Sequence, residues 1–293
     1  MNRVYVVGSV NVDETSVAGS QAHLGTPVRT TGGKGANAAV AAARDGAPVY
    51  MIAAVGDDDA GRMCLTALRR EGVDTRGVEV VAGSPTGFTA IDLDGGGEGS
   101  PRYVAGANAW LDALRVGEAL RALTERDVCV ANFGAPDEAL AAAGACARQR
   151  GAHLVLNVSP VRHVPPAVLA PGTTVVVNEA ELDALAGDAE GSTGVPALQR
   201  RTGGAVIVTR GPGGVSVYTT GGNEVRLDAH PTTAVDTTGA GDCFLGVFAA
   251  ALSRGSEIVA AARRGTAAAA LAVRAVGAQT AMPSTEEIDR LMA

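Results

Sequence analysis

Residues 4–13 read VYVVGSVNVD, a β-branched apolar run that breaks at Gly8 and turns polar at Asn11 and Asp13. Consecutive apolar residues without polar alternation fit a strand buried on both faces, the habit of parallel sheets. GANAAVAAARDG (35–46) follows and fits an Ala-rich helix closed by Gly46, since Gly is favoured just past a helix end. VYMIAAVG (49–56) again has strand length, and DAGRMCLTALRREG (59–72) has helical apolar spacing ending at Gly72. Strand, helix, strand, helix implies parallel strands joined by right-handed crossovers. The pattern returns in DVCVANFG (127–134), HLVLNVSP (153–160), TTVVVNEAE (173–181) and AVIVTRGPGG (205–214), with PDEALAAAGACARQRG and EAELDALAG as intervening helices. The expected fold class is α/β, a doubly wound, mostly parallel sheet flanked by helices. In such sheets ligands sit beyond the carboxyl ends of the strands. Asn11, Asn132, Asn157, Asn178 and Arg210 fall at or just past such ends.

Two stretches interrupt the alternation. VAGSQAHLGTPVRTT (17–31) and TGFTAIDLDGGGEGSPRYVAG (86–106) read as short strands with Gly-rich turns. Together they suit a small β-flap over the sheet's edge, where it would exclude water from a site beneath. The domain expectation is therefore one domain over residues 1–293, with lid segments at about 14–31 and 86–105 inserted in it.

The totals restrict function. A chain of 293 residues buries about 75% of its unfolded surface. Aromatics are only 3%, which argues against a stacking platform for single-stranded nucleic acid. Net charge is −7 with no basic block, so neither nucleic acid nor a membrane surface is an expected partner. Cys64, Cys129, Cys146 and Cys243 have no CxxC spacing, and His23, His153, His163 and His230 form no paired motif. Inert core thiols in a reducing compartment are the simple reading. With no leader pattern and no apolar run of about 18 residues, the expected location is cytoplasmic.

Four stretches carry candidate chemistry. In TTGAGDCFLG (237–246), Gly239, Ala240 and Gly241 precede Asp242 and an apolar helix that runs to Gly255. The first amides of a helix lack internal partners and carry partial positive charge. Small residues there let a bulky anion reach the bare backbone, with Asp242 beside it and Asp236 just upstream. An acidic first turn is also an ordinary helix start. TGGKGAN (31–37) is not a Walker loop, because its glycines are adjacent and no Ser or Thr follows the Lys. Lys34 and Asn37 are three apart and share a helix face, although a Gly-rich helix entry with a solvated Lys has the same pattern. Asn11 and Asp13 are two apart in an extended segment and face the same way. They suit paired sugar hydroxyls, or an Asx-turn. Asn178 and Glu181 fit a capping box or the few protein contacts that a hydrated magnesium ion needs. GDDDAG (56–61) reads as a turn and helix cap, and Trp110 as core or pocket wall.

Taken together these stretches resemble the ribokinase-like, or phosphofructokinase-B type, family of sugar and nucleoside kinases. GGKGANAAVAAARDGA looks like the family's N-terminal signature and DTTGAGDCFLG like its C-terminal one, about 200 residues apart. Landmarks run in order from Val4 to about Pro283, and GGKGAN, AGANA (105–109) and GAQ (277–279) are closest to the ribokinase branch. The resemblance implies Asp242 as catalytic base and Gly239, Ala240 and Gly241 as an anion hole. It implies sugar contacts from Asn11, Asp13, Gly33, Lys34 and Asn37. Asn178 and Glu181 match a magnesium and phosphate motif, and Thr209, Arg210, Gly211 and Gly214 a nucleotide-binding turn. Asp236, Thr238, Ala272 and Gly277 match a monovalent cation loop, occupied by potassium in ribokinases.

The chain departs from the pattern at three places. The segment from Asp13 to Gly32 is short, which trims the first flap strands and leaves a lid-mediated homodimer open. Gly134 stands where ribokinases place a sugar-binding Glu, which removes hydrogen bonds to hydroxyls and makes room for a different group. Ala281 replaces a hydroxyl-bearing residue at the cation loop, removing one potassium ligand. The resulting expectation is a magnesium-dependent kinase that moves the ATP γ-phosphoryl group to a primary hydroxyl of a sugar. A nucleoside acceptor is the alternative within the family, and a non-catalytic sugar-sensing protein the alternative outside it. A nicotinamide-binding dehydrogenase lacks the G-x-G-x-x-G that should follow the first strand.

Overall fold

The computed structural model describes residues 2–17, 28–93, 99–162, 164, 166–185 and 194–293. His23, His163, the turn of the first flap segment and the Gly-rich turn at 94–98 lie outside the described residues. The chain begins with β1 (Val4–Val7), β2 (Asn11–Val17), β3 (Val28–Gly32), α1 (Lys34–Arg44), β4 (Val49–Gly56), α2 (Asp59–Arg70) and β5 (Asp74–Val81). It continues through β6 (Gly87–Leu93), β7 (Gly99–Val104), α3 (Ala113–Ala119), β8 (Val128–Asn132), α4 (Asp137–Arg150), β9 (His153–Asn157) and β10 (Thr174–Asn178). The last part holds α5 (Glu179–Leu185), α6 (Gly194–Thr202), β11 (Val206–Thr209), β12 (Val215–Tyr218), β13 (Glu224–Leu227), α7 (Ala240–Ser253), α8 (Ile258–Ala272) and α9 (Thr285–Met292).

Nine strands form the large sheet in the order β13-β12-β11-β10-β9-β8-β1-β4-β5. It is parallel from β5 to β11, and β12 and β13 add an antiparallel edge. β1 is central, with Val4 opposite Val49 on one side and Val128 on the other. Alternate residues leave opposite faces of a strand. Val4 and Val6 join a core with α1, α2, α7 and α8, whereas Tyr5 and Val7 join a second core with α3 and α4. Burial on both faces is why this strand is apolar at every position.

The expected elements from residue 35 to 72 form where the sequence places them. Gly46 and Gly72 take positive φ past the ends of α1 and α2. Asp58 caps α2 by accepting the Gly61 N–H at 2.8 Å, so GDDDAG is a turn and cap. The sequence reading does not include β5, β12 or β13. Asp74–Val81 carries charges along its length and owes its strand state to pairing with β4. Trp110 is not core, since it is 64% exposed at the end of a 3-10 turn.

The two flap segments form a second, four-stranded sheet in the order β3-β2-β6-β7. It begins at Asn11, earlier than the boundary at residue 14, because Asn11 already pairs with Gly32 and Gly87. Asn11 and Asp13 therefore sit on a strand of this sheet, which follows β1 after a three-residue link.

α1 and α7 lie close together. Gly35–Ala42 are all buried, between the large sheet and α7. A Cβ at Gly246 would fall 2.2 Å from the Ala38 carbonyl oxygen and 2.7 Å from the Ala41 Cβ. Only a residue without a side chain allows the two backbones this near. At the far end of the helices, the fully buried Asp45 carboxylate accepts from Arg254 at 2.6 Å and Arg264 at 2.5 Å, and Arg264 also reaches Asp289. One carboxylate thus ties together the ends of α1 and α7, the middle of α8, and α9. Removing one partner of a buried ion pair is costly because the other is left uncompensated, and partial exposure of Arg254 reduces the cost. Asp45→Asn is expected to lower the unfolding free energy by about 2–3 kcal/mol, read as a lower urea midpoint. An unchanged midpoint would contradict this account of the cluster.

Candidate functional site

α7 starts at Gly239, which takes a left-handed φ of 75°. A Cβ there would lie 2.9 Å from that of Ala278, so Gly answers both the backbone angle and the contact. A Cβ at Gly241 would meet nothing within 4 Å, and the turn is open to solvent on that side. The Ala240 N–H donates to the Thr237 carbonyl at 3.2 Å. Of the three amides expected to form an anion hole, Ala240 is therefore turned inward. Those of Gly239 and Gly241 have no acceptor among the described residues. Open amides and a helix N-terminus give this corner the partial positive charge that suits an anion.

Asp242 lies in the first turn of α7 and is buried. Its Oδ2 accepts the Asn37 Nδ2–H at 2.8 Å, across 205 residues of sequence. The close approach of α1 and α7 makes this bond geometrically available. Burial pushes the Asp242 carboxyl above the usual range, against the lowering effect of the Lys34 ammonium and the Asn37 hydrogen bond, and Glu181 adds to the rise. Burial likewise raises Asp13, opposed by a hydrogen bond with Thr89 and by Lys34, with the Asp242 charge adding to the rise. Lys34 thus faces two carboxylates that repel each other. Asn11 donates to Thr89 at 3.4 Å and accepts from Asn108 at 2.9 Å. Asn108 also accepts the Val10 N–H at 2.9 Å. Gly33, with φ 93°, leads into α1 between these groups. Asn11, Asp13, Gly33, Lys34, Asn37 and Asp242 are accordingly one cluster.

The remaining expected residues form two flanking groups. Asn178 and Glu181 make a reciprocal capping box, with Asn178 N–H donating to Glu181 Oε2 and Glu181 N–H to Asn178 Oδ1, both at 2.8 Å. Glu181 is buried and electrostatically sensed by Asp242. Thr209, Arg210, Gly211 and Gly214 build a tight turn, in which Arg210 N–H donates to the Gly214 carbonyl at 2.8 Å. The Arg210 guanidinium bonds Glu179 at 2.6 Å and Ser216 at 3.2 Å. On the other side, Asp236 accepts from the Thr238 N–H at 2.9 Å and the Gly277 N–H at 2.8 Å. Burial works to raise Asp236, but its hydrogen bonds from Thr238 and Gly277 prevail and hold it below the usual range. Ala272 ends α8, and the backbone contact to the loop is made by its neighbour, the Val273 carbonyl, which accepts from Val235 and Asp236.

An ionised carboxylate set among backbone groups fits a monovalent cation. Among the described residues no three His, Cys, Asp or Glu side chains converge. That donor set fits magnesium only as an ion that keeps most of its water and is shared with phosphate oxygens, with Glu181 as the protein carboxylate. The buried thiols of Cys64 and Cys129 are pushed up to about 12 by burial, so neither is a nucleophile near neutrality.

Several residues of the site escaped the sequence reading. Thr89 and Tyr103 are paired across β6 and β7, and Thr89 is paired with Asp13, so all three share one face of the small sheet. Burial raises the Tyr103 phenol, against a hydrogen bond with Asn108 and the nearby Arg162 charge. Asn108 lies in the AGANA stretch, whose likeness to a family motif was the only available signal for it. Gly134 does not leave an empty space, because a Cβ there would fall 2.3 Å from the Ser9 hydroxyl. The Asn132 Nδ2 beside it is buried without a partner among the described residues.

Comparison with known proteins bears on this geometry. Residues 1–285 match the model of the pfkB family carbohydrate kinases. The chain is 33% identical over 298 residues to the ribokinase of Bacillus subtilis (strain 168), covering 100% of each. The crystal structure of a ribokinase from Thermotoga maritima superposes with a TM-score of 0.89 at 28% identity, over 100% of this chain and 99% of that one. The Arabidopsis thaliana ribokinase complexed with ribose and ATP gives 0.88 at 26% identity, with the same coverage.

The raised Asp242 carboxyl has a consequence for stability. A group with a raised folded-state pKa contributes stability below its unfolded pKa, and loses it as pH rises through the folded value. At neutral pH the buried Asp242 therefore makes the fold less stable than it is at acid pH. Asp242→Asn keeps an oxygen for Asn37 and removes the charge, so its melting temperature at pH 7 is expected to rise by about 2–4 °C. The gain should shrink toward pH 4, and calorimetry at both pH values tests it. A fall in Tm at pH 7 would contradict the assignment of strain to this charge.

Proposed function

The chain belongs to the pfkB family of carbohydrate kinases, and from that premise we propose that it transfers the γ-phosphoryl group of ATP to a primary hydroxyl of a sugar. It is a phosphotransferase with an alcohol acceptor. The observation that carries the finer reading is the buried Asp242 carboxylate at an open helix N-terminus, one hydrogen bond from Asn37. We propose that the whole chain acts as one kinase domain with the four-stranded sheet as its lid.

Phosphoryl transfer passes through a loose transition state with charge spread over the equatorial oxygens. The Gly239 and Gly241 amides meet that charge without reorganising, and one such donor is worth roughly 3–4 kcal/mol in other enzymes. Asp242 takes the acceptor's proton. Its Oδ2 is engaged by Asn37, so Oδ1 is the accepting atom. Asn11, Asp13, Gly33, Lys34 and Asn37 bind the acceptor hydroxyls. Thr209, Arg210, Gly211 and Gly214 bound the nucleotide site with Asn178. Bound magnesium would neutralise phosphate charge, and Glu181 would hold its water shell. Asp236, Thr238, Gly277 and the stretch after Ala272 would hold potassium.

One observation favours a nucleoside as the second reading. Tyr103 shares the lid face with Asp13 and Thr89, which offers an aromatic surface despite the low aromatic content of the chain.

ADP release from a panel of pentoses, hexoses and nucleosides tests the reading, and turnover with none of them would overturn it. Asp242→Asn is expected to lower kcat at least about 1,000-fold while acceptor binding persists by calorimetry. Asp13→Ala should raise the acceptor Kd about tenfold or more and leave ATP affinity within about twofold. An unchanged acceptor Kd would remove Asp13 from the sugar site.

A further inference from the structure

Asn37 is held on both sides. Its Nδ2–H donates to Asp242, and its Oδ1 accepts the Gln279 Nε2–H at 3.1 Å. Gln279 Oε1 in turn accepts the Thr31 hydroxyl proton at 2.7 Å. With Asn37 presenting N–H to Asp242, its Oδ1 takes the Gln279 amide N–H as donor, and the remaining Gln279 oxygen takes the Thr31 O–H. Every link points toward the carboxylate, the arrangement in which successive hydrogen bonds polarise one another. Gln279, Asn37 and Asp242 are all buried, where such bonds are least diluted by water.

The ends of this chain lie in different parts of the molecule. Thr31 is on β3 of the small sheet, next to Gly32, and Asp242 is on α7. Gln279 belongs to a short segment with two further contacts at the site. Gly277 N–H holds Asp236, and Ala278 packs on Gly239 at the start of α7.

Resting on the kinase reading above, we propose that Gln279 is a positioning residue that carries the placement of the lid strand β3, through Thr31, to the Asn37 amide and so to the Asp242 carboxylate. It touches neither substrate. It keeps Asn37 oriented so that Asp242 Oδ2 stays engaged and Oδ1 faces the acceptor hydroxyl. When β3 is displaced, Thr31 withdraws, the chain loses its outer link, and the base loses its fixed orientation. Turnover is thereby tied to a closed lid.

The test uses two near-isosteric pairs on the full-length chain. Gln279→Glu keeps the size and the acceptor for Thr31 but has no donor for Asn37. Thr31→Val removes the hydroxyl, whereas Thr31→Ser keeps it. Leaving the buried Asn37 oxygen without its donor corresponds to about ten- to hundredfold in rate. Gln279→Glu is expected to lower kcat by that factor with acceptor and ATP KM within about twofold. Thr31→Val should lower kcat in the same direction, Thr31→Ser should restore most of it, and Gln279→Glu with Thr31→Val should be no worse than Gln279→Glu alone. Wild-type kcat in both Gln279→Glu and Thr31→Val overturns the proposal, as do additive losses in the double variant or losses confined to KM. If wild type turns over and Asp242→Asn does not, while these variants are normal, only the relay fails. If wild type turns over no acceptor, the kinase reading fails instead.

Discussion

The structure depends on how closely α1 and α7 approach each other. Gly246 against Ala38 and Ala41 brings two backbones together that carry residues from opposite ends of the sequence. The result at the top of the sheet is the Asn37–Asp242 hydrogen bond. At the bottom, Asp45 with Arg254 and Arg264 holds the same helices by charge. The helix pair is therefore pinned at both ends, and the position of a buried carboxylate is set by packing over many residues rather than by its own loop. The Ala and Gly richness of α1 follows from the same constraint, since larger side chains would separate the helices and break the contact.

This packing also has an electrostatic cost. Asp13 and Asp242 are both raised by burial, Asp13 further by the Asp242 charge and Asp242 by that of Glu181, with Lys34 as a shared counter-charge. A fold selected only for stability would neutralise one of these carboxylates. On the proposed kinase reading, a hydroxylated substrate satisfies them and one of them receives a proton. The open amides at the start of α7 are a second local deficit that an incoming anion relieves. Function here resides in groups whose requirements the protein alone leaves incompletely met.

The small sheet is part of the site. Asn11 and Asp13 are on its first strand, Thr89 and Tyr103 share the face of Asp13, and Thr31 reaches Gln279. The polar groups of the site thus come from the small sheet and from α1 and α7, which pack on the large one. On the proposed kinase reading, relative placement of the two sheets decides whether the acceptor-binding and phosphate-binding groups meet, which gives the small sheet a chemical role beyond excluding water.

Much of this was fixed by local chemistry. The alternation of apolar runs with Gly-terminated helical stretches gave β1, α1, β4 and α2 nearly to the residue, because burial on both strand faces and left-handed C-caps leave marks within a few positions. The Asn178–Glu181 capping box and the helix start at Ala240 are equally local. The tertiary structure alone decided what depends on distant partners. β5, β12 and β13 are strands because neighbours pair with them, Trp110 is exposed because no described element covers it, and the Ala240 amide turns inward to a carbonyl. Asn108, Tyr103, Thr31 and Gln279 take their places through contacts across as many as 248 residues. A hydrogen bond between distant residues leaves no period or spacing in a sequence, so which candidates meet, and which oxygen of Asp242 takes the Asn37 bond, is settled only when the helices pack.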